Sequence, residues 1–217
     1  MGNEKLVEAA RKNWLWMKYP RDEKVLQALG KVDRAEFLPN YMRDVAYIDY
    51  QQSIEYGAMC SMPSLVAVMS DLLELHDGLN VLEIGTGCGY SAAVTAHLIG
   101  SGKLTTIEIV PELAKLGKRN LKKHFGPFYD KKIQVVEGDG SLGYPPNLPY
   151  QRIYLTAAAN MATFKKEILL SQLADDGILL FPEKSVSSLF LYKKSSKGIE
   201  EQSYNGVVFV PLKGRNK

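Results

Sequence analysis

Residues 81–93 read VLEIGTGCGYSAA. An apolar run leads straight into glycines at positions 85, 87 and 89, and a helix-forming stretch follows. No other feature narrows the possible folds as much. Three missing side chains in five positions cost backbone entropy, so the chain must turn sharply there or receive something close to its main chain. A strand that runs into such a loop and then into a helix begins a parallel β-α-β unit, and the new helix offers free N–H groups at its first turn.

The remainder reads by periodicity. Residues 4–17 form an amphipathic helix, with Leu6, Ala9, Ala10, Trp14 and Met17 at helical spacing, and Pro20 ends it. Trp14 and Trp16, two apart, face different sides, a mixture of core and cover. Asp22 caps a second helix over 23–31, and RAEFLP, 34–39, closes that block. Residues 40–60 are irregular and long for a structureless loop, which marks them as functional or as holding short strands. Tyr47, Tyr50 and Tyr56 either line a groove or anchor that loop. A regular alternation follows: helix 63–75, strand 79–84, helix 89–99, strand 103–109, helix 111–124 with Pro111 in its first turn, strands 133–137 and 151–156, helix 164–174 and strand 178–182. SLFLYKK and GVVFVPL then read as an antiparallel pair with no helix between them. The expected fold is α/β and Rossmann-like: a central, mostly parallel sheet with helices on both faces, antiparallel strands at the C-terminal end and a helical N-terminal extension. The extension covers 1–62, and 63–217 is one compact unit.

Composition excludes several classes. The chain has 217 residues, with 27 Lys and Arg against 24 Asp and Glu, a net charge of +3. The basic residues are scattered in short runs such as Lys122-Lys123 and Lys131-Lys132, so nucleic acid is not expected as a partner. Cys60 and Cys88 make no C-x-x-C pair and no metal spacing with His76, His97 or His124. This points to a reduced, cytoplasmic protein without a structural disulfide or metal; Cys88 reads as a small loop residue and Cys60 as packing. No apolar run reaches the roughly 18–20 residues of a bilayer span. The N-terminus lacks a signal-peptide core, and Leu6 stands where a myristoylation signal has Ser or Thr. No membrane partner is expected.

What sits on the glycine loop follows from its neighbours. A P-loop is excluded because no Lys-Ser or Lys-Thr follows the glycines. Gly87-Cys88-Gly89-Tyr90-Ser91-Ala92 fits the dinucleotide pattern G-x-G-x-x-A, and Glu108, at the end of the next strand, is placed to accept from ribose hydroxyls. That role is common to NAD and S-adenosylmethionine sites. Three features favour the latter. Glu83, two residues before the first glycine, is placed to hold a cationic group by charge or through water. Asp139 in Gly138-Asp139-Gly140 ends the third strand, where a carboxylate can accept from an adenine amino group. No Tyr-x-x-x-Lys for hydride transfer occurs in the chain. The alternative for Glu108 and Asp139 is that they merely cap turns.

The series E-x-G-x-G-x-G, Glu108, Asp139 is similar to the class I methyltransferase core. Over nearly its whole length the chain resembles the protein-L-isoaspartate O-methyltransferases, through VLEIGTGCGYSAAVTAHLIG, TIEIVPELA, GDGSLGYPPNLPYQRIYLTAA, and FLP, QSI, SMPSLVA and FVPL in the family's order. The resemblance implies a class I methyltransferase fold. It also implies transfer of a methyl group from S-adenosyl-L-methionine to the free α-carboxylate of L-isoaspartyl residues in damaged proteins, leaving S-adenosyl-L-homocysteine. The ester then collapses to a succinimide whose hydrolysis restores some aspartate. The acceptor carboxylate is already ionised at neutral pH, so desolvation and alignment do the work and no strong base is needed.

The resemblance places Glu83, Gly85, Thr86, Gly87, Glu108, Ile109, Asp139, Gly140 and Thr156 at the cofactor. It places Met59, Cys60, Ser61 and Ser64 at the acceptor, with Ser61 the catalytic contact; the plain alternative for Ser61 is a helix N-cap, and for Thr156 a strand-end hydrogen bond. Residues 40–62 would cover the substrate. Where the family reads roughly T-I-S-x-P-H-M, this chain has Met59-Cys60-Ser61-Met62-Pro63-Ser64-Leu65. It also lacks the family's proline-rich segment after the fourth strand, having NMATFKKEIL at 160–169. A methyltransferase with another, small-molecule acceptor is therefore a second reading, and a non-catalytic or dinucleotide-binding protein a third. YPPN, 144–147, is a turn rather than the Asn/Asp-Pro-Pro-Tyr of DNA amino methylation, whose position here is Thr156-Ala157-Ala158-Ala159. The expected state is a monomer or weak homo-oligomer.

Overall fold

A computed structural model describes residues 2–16 and 22–217, and of 14–16 the backbone only. Met17, Pro20 and the side chains of Trp14 and Trp16 lie outside the described part. Helix α1 spans Gly2–Trp16 and α2 spans Glu23–Lys31. Asp22 caps α2 as its position requires, its side chain accepting from the Lys24 amide at 2.9 Å. The long segment after it holds 3₁₀ turns and a two-residue ribbon, β1 (Gln52–Ser53) paired antiparallel with β2 (Met59–Cys60). Then come α3 (Pro63–Leu72), β3 (Asn80–Ile84), α4 (Tyr90–Leu98), β4 (Lys103–Glu108), α5 (Pro111–Phe125), α6 (Tyr129–Lys132), β5 (Ile133–Glu137), β6 (Tyr150–Leu155), α7 (Glu167–Leu170), β7 (Leu173–Glu183), β8 (Ser188–Ser195) and β9 (Gly198–Asn205).

The main sheet has seven strands in the order β5-β4-β3-β6-β7-β8-β9. The first five run parallel and the last two antiparallel. The chain builds outward from β3 to β5, then returns to the other side of β3 as β6. The strand order therefore reverses beside β3, and crevices at such switch points open at the carboxyl ends of the strands. Side chains alternate across the sheet. Val81, Tyr154, Ile178 and Leu180 join the core shared with α1 to α5, while Leu82, Ile84, Ile153, Leu155, Leu179 and Phe181 form a second core on the opposite face. That second face is covered by 3₁₀ turns at Gly140–Leu142 and Pro145–Asn147, by α7 and by Leu212 near the C-terminus. YPPN is thus a turn.

Two expected elements differ. The helix at 164–174 shrinks to the single turn α7, because from Leu173 the chain is extended and paired with β6. Gln172 marks the change: its side chain accepts from the Tyr144 amide and donates to the Leu142 carbonyl, both at 2.8 Å, and its own carbonyl receives the Tyr150 amide. The second partner of the C-terminal hairpin is β9, GIEEQSYN, not GVVFVPL. β9 is exposed almost throughout and lacks apolar alternation, so the signal for a half-buried strand is absent there. GVVFVPL continues past the hairpin, and its Pro211 meets Ala158 in an isolated parallel bridge.

One buried cation organises the long loop. Arg34 is fully buried, and its guanidinium donates to the carbonyls of Ala46 (3.2 Å), Ile48 (3.0 Å), Tyr50 (2.8 Å), Cys60 (3.3 Å) and Ser61 (3.0 Å). An irregular loop carries many backbone acceptors with no ladder to satisfy them, and one planar five-donor group supplies several at once. Tyr47 adds an anchor by donating to Asp33 at 3.0 Å. Arg34→Met keeps the aliphatic bulk and removes every donor. The expected loss is about 3 kcal/mol or more of unfolding free energy, from buried carbonyls left unpaired, read as a lower urea midpoint at unchanged m-value.

Candidate active site

The glycine loop leaves β3 at Ile84. Gly85, Gly87 and Gly89 all take positive φ, 101°, 53° and 89°, a region L side chains rarely enter. Two of them also need the space. A methyl group on Gly85 would strike the Thr156 hydroxyl, and one on Gly89 would reach 3.0 Å from Leu121 on α5. Gly117 on α5 serves the same contact from the other side, since a side chain there would meet the Gly87 carbonyl at 2.9 Å. Gly87 is under no such pressure: a side chain there would meet Ile54 at an ordinary contact distance of 3.6 Å. The loop thus turns tightly because its first and last glycines are pressed on by protein, and leaves its middle glycine bare.

Strand ends fix the loop. The Gly87 amide donates to one Glu108 oxygen at 2.9 Å, and the Val110 amide to the other at 3.1 Å. Thr156 donates to the Gly85 carbonyl at 2.7 Å, tying the end of β6 to the end of β3. Beneath the loop, the Thr86 hydroxyl pairs with that of Thr106 at 2.7 Å. Thr106 in turn donates to Glu83 at 2.5 Å, and Tyr154 donates to the other Glu83 oxygen at 2.7 Å.

A cavity of about 240 Å³ opens over this loop at the carboxyl ends of β3, β4 and β6. Gly85, Thr86, Gly87, Glu108, Ile109, Gly140 and Thr156 line it from the sheet side. Met59, Cys60 and Ser61 face them from the long loop. Ser61 is not the cap of α3: Met62 holds that position, and the Ser64 amide is received instead by Asp49 at 2.8 Å. Tyr56 lines the cavity and Tyr47 anchors the loop, whereas the Tyr50 side chain is exposed.

Three expected site residues stand apart. Glu83 is fully buried and absent from the wall; its oxygens are taken by Thr106 and Tyr154, so it supports Thr86 from below. Asp139 also lies off the wall. One oxygen accepts from the Ser141 amide at 3.0 Å and hydroxyl at 2.6 Å, the other from the Arg215 amide at 2.9 Å, so it fastens the C-terminal segment. Ser64 is buried with its hydroxyl unpartnered, outside the lining. Conversely, Tyr90, Leu113 and Val210 to Lys213 line the cavity, although the sequence does not mark them as site residues. Tyr90 directly follows the last glycine, a position that any loop opening onto a helix brings to the ligand side. Val210, Pro211 and Leu212 belong to the FVPL motif, which the sequence reads as part of a strand, and Lys213 follows it.

The arrangement can bind a ligand with vicinal hydroxyls on Glu108 and a close-packed backbone contact at Gly87. None of the three histidines is in the wall; His97 and His124 face each other at 2.9 Å between α4 and α5. Among the described residues, no group of three or more His, Cys, Asp or Glu could hold a metal ion, and no helix is long and apolar enough to cross a membrane.

The family model for protein-L-isoaspartate(D-aspartate) O-methyltransferases matches residues 1–217. A protein-L-isoaspartate O-methyltransferase of Archaeoglobus fulgidus is 42% identical over 194 residues, 89% of this chain and 87% of its own. One of Methanococcus vannielii is 46% identical over 196 residues, 89% of this chain and 90% of its own. Among solved structures, a protein-L-isoaspartate O-methyltransferase superposes with a TM-score of 0.83 at 26% identity, over 99% of this chain and 67% of that one. A Plasmodium falciparum structure of the same description, in complex with S-adenosyl-L-homocysteine, gives 0.82 at 22% identity over 98% and 99%.

Burial pushes the Glu83 carboxyl up from its ordinary 4.5 to about 7, with Glu108 repelling in the same direction and Thr106, Tyr154 and Ser91 pulling it back. The folded protein therefore keeps a proton that the unfolded chain has lost between these values. Stability contributed by this proton is complete below pH 4.5 and falls as pH rises through about 7. Glu83→Gln is expected to flatten that decline, whose slope is at most about 1.4 kcal/mol per pH unit. Urea unfolding of both proteins across this range reads the difference directly.

Proposed function

The chain belongs to the protein-L-isoaspartate(D-aspartate) O-methyltransferase family, and from that membership we propose how the cavity beside β3 carries out the family reaction. The enzyme methylates the free carboxylate of L-isoaspartyl residues in proteins or peptides, using S-adenosyl-L-methionine, in protein repair. The observation that carries the residue-level reading is Glu108: a buried carboxylate that enters the cavity beside the bare main chain of Gly87 at the sheet's switch point.

On this reading Glu108 receives the ribose hydroxyls, and Gly85, Thr86 and Gly87 present main chain to the amino-acid end of the cofactor. Ile109 and Gly140 form the slot for the adenine. A Cβ on Gly140 would stand 3.0 Å from Ile84 and 3.2 Å from Ile107, which supports that glycine as the reason the slot stays thin. Asp139 acts at one remove, by holding Arg215 and the tail that closes the wall. Glu83 acts at one remove by holding Thr106 and, through it, Thr86. The cofactor supplies a sulfonium methyl as the electrophile.

The chain's own part is to bind, dehydrate and aim. The Ser61 hydroxyl has no protein partner among the described residues and faces the cavity, as a donor to the acceptor carboxylate should. Thr156 stands across from it at the end of β6. Lys213 brings positive charge to the same wall, where an anionic acceptor enters. A wall without histidine suits a nucleophile that is already ionised. Met59 and Cys60 make the acceptor side apolar, which strips water from the attacking oxygen. We read the protein as cytoplasmic and as a monomer or weak homo-oligomer, with neither nucleic acid nor membrane as partner; a charge balance of only +3 over 217 residues supports the absence of a nucleic-acid partner.

Incubating the enzyme with labelled methyl donor, an isoaspartyl peptide and its aspartyl twin tests the reading. Base-labile methyl ester is expected on the first peptide alone. Transfer to neither, with the cofactor bound, assigns the enzyme to another acceptor. Glu108→Ala is expected to weaken S-adenosylhomocysteine binding by about 1.5–3 kcal/mol, the worth of hydrogen bonds to a charged group. Titration calorimetry measures it, and an unchanged affinity would place the ribose elsewhere.

A further inference from the structure

The acceptor wall carries one residue that neither backbone preference nor packing accounts for. A tight turn joins β1 to β2, and in it the Ala58 amide donates to the Glu55 carbonyl at 3.0 Å. The two central residues, Tyr56 and Gly57, have φ of 55° and 72°. Both angles lie in the left-handed region, where glycine is at ease and a bulky side chain is strained. Turns of this kind favour Asn-Gly, and this chain has Tyr-Gly. Packing does not compensate. Tyr56 is 53% exposed, and among the described residues its hydroxyl has no hydrogen-bond partner and its ring no aromatic or cation contact. Tyr47, in the same loop, is by contrast packed on the core and bonded to Asp33.

What the turn does provide is a position. Tyr56 lines the cavity on the wall that bears Met59 and Ser61, and Val210 and Pro211 meet the same cavity from the tail. Met59 and Val210 are half-buried and Pro211 is exposed, so the cavity has an apolar margin with a free aromatic ring on it. That ring sits on a fixed support. Ile54, beside the turn, is fully buried, and Arg34 holds the carbonyls of Cys60 and Ser61. A protein carboxylate that reaches Ser61 brings its flanking residues with it. A cavity of about 240 Å³ that also takes the cofactor has no room for them, so they lie at its margin.

We propose that Tyr56 is a specificity-determining residue for the acceptor: its ring packs against an apolar side chain next to the isoaspartyl residue of the client polypeptide. The inference rests on the reading that this cavity methylates isoaspartyl carboxylates, and it names the kind of client. An aromatic ring offers a large, rigid contact and loses little freedom when it is covered. Release of water from that contact favours Leu or Phe in the client over Ser or Glu. Large apolar side chains are mostly buried in folded proteins. The same contact therefore selects unravelled segments over native surface. Local strain at a site that touches substrate is a recurrent feature of binding walls.

The full-length enzyme, Tyr56→Asn and Tyr56→Phe are compared on isoaspartyl peptides of one sequence that carry Leu, Phe, Ser or Glu beside the isoaspartyl residue. KM, kcat, S-adenosylhomocysteine affinity and the urea midpoint are measured for each protein. Asn suits the left-handed turn, so Tyr56→Asn is expected to keep or raise the midpoint. Its KM is expected to rise roughly five- to tenfold for the Leu and Phe peptides. KM for the Ser and Glu peptides, kcat and cofactor affinity are expected to stay as they are. Tyr56→Phe keeps the ring and is expected to keep the wild-type KM values. A structural role would move stability and KM in the same sense, so a lower midpoint in Tyr56→Asn overturns the proposal and assigns the ring to the fold. It is also overturned if KM is unchanged or rises equally for every peptide, or if S-adenosylhomocysteine affinity falls, which places the ring over the cofactor. A wild-type enzyme that binds cofactor and methylates none of the peptides removes the acceptor reading itself; an active wild type indifferent to the neighbouring residue overturns this proposal alone.

Discussion

The amide of Gly87 donates to Glu108, and most of the site hangs on that one bond. It is 2.9 Å long and joins the loop after β3 to the last residue of β4. An N–H can aim there only because residue 87 adopts a positive φ, and residues 85 and 89 do the same on either side. Charge-assisted bonds of this type are among the stronger ones a backbone can make. The second Glu108 oxygen takes the Val110 amide, so the carboxylate is held from both sides where it borders the cavity. The same constraint explains the crowding underneath, where Thr86, Thr106, Glu83 and Tyr154 form a continuous chain of short bonds. A buried carboxyl is costly by itself and becomes tolerable when each oxygen has a donor.

Arg34 does for the opposite wall what Glu108 does for the loop. Residues 46–61 contain little regular structure beyond the β1-β2 ribbon, yet five of their carbonyls converge on one guanidinium. Asp49, from the same stretch, supplies the missing cap of α3. The result is a loop with fixed geometry at Cys60 and Ser61, where alignment matters to methyl transfer. One buried anion and one buried cation, on different walls, thereby set the width of the space between them.

Much of this was legible in the chain and some was not, for physical reasons. The parallel core could be read because apolar residues recur in β3, β4 and β6 and helical stretches lie between the strands, the one after β4 with a clear start at Pro111. Glu108, Ile109, Gly140 and Thr156 share one cavity wall because strand ends in a parallel sheet gather at one edge. Glu83 and Asp139 lie off that wall, which spacing does not reveal, because it gives a side chain's strand position but not what already occupies its oxygens. The partners that decide this, Tyr154 for one and Arg215 for the other, lie 71 and 76 residues away. The turn α7 was over-read because Phe164, Leu169 and Leu170 supply helical spacing while Gln172 diverts the chain into β7. β9 was missed for the opposite reason: it has no apolar face to announce it. Arg34 gives no local signal at all, since its five acceptors come from 12 to 27 residues downstream.

That plain strand has a consequence of its own. β9 ends the sheet, and Glu200, Glu201 and Gln202 are exposed on its two faces. An open sheet border is a template on which any loose polypeptide can anneal, and acidic side chains along it discourage such growth. A repair enzyme spends its working life against aged, partly unravelled chains. An edge that bears Glu200 and Glu201 offers such clients a poor surface for strand pairing.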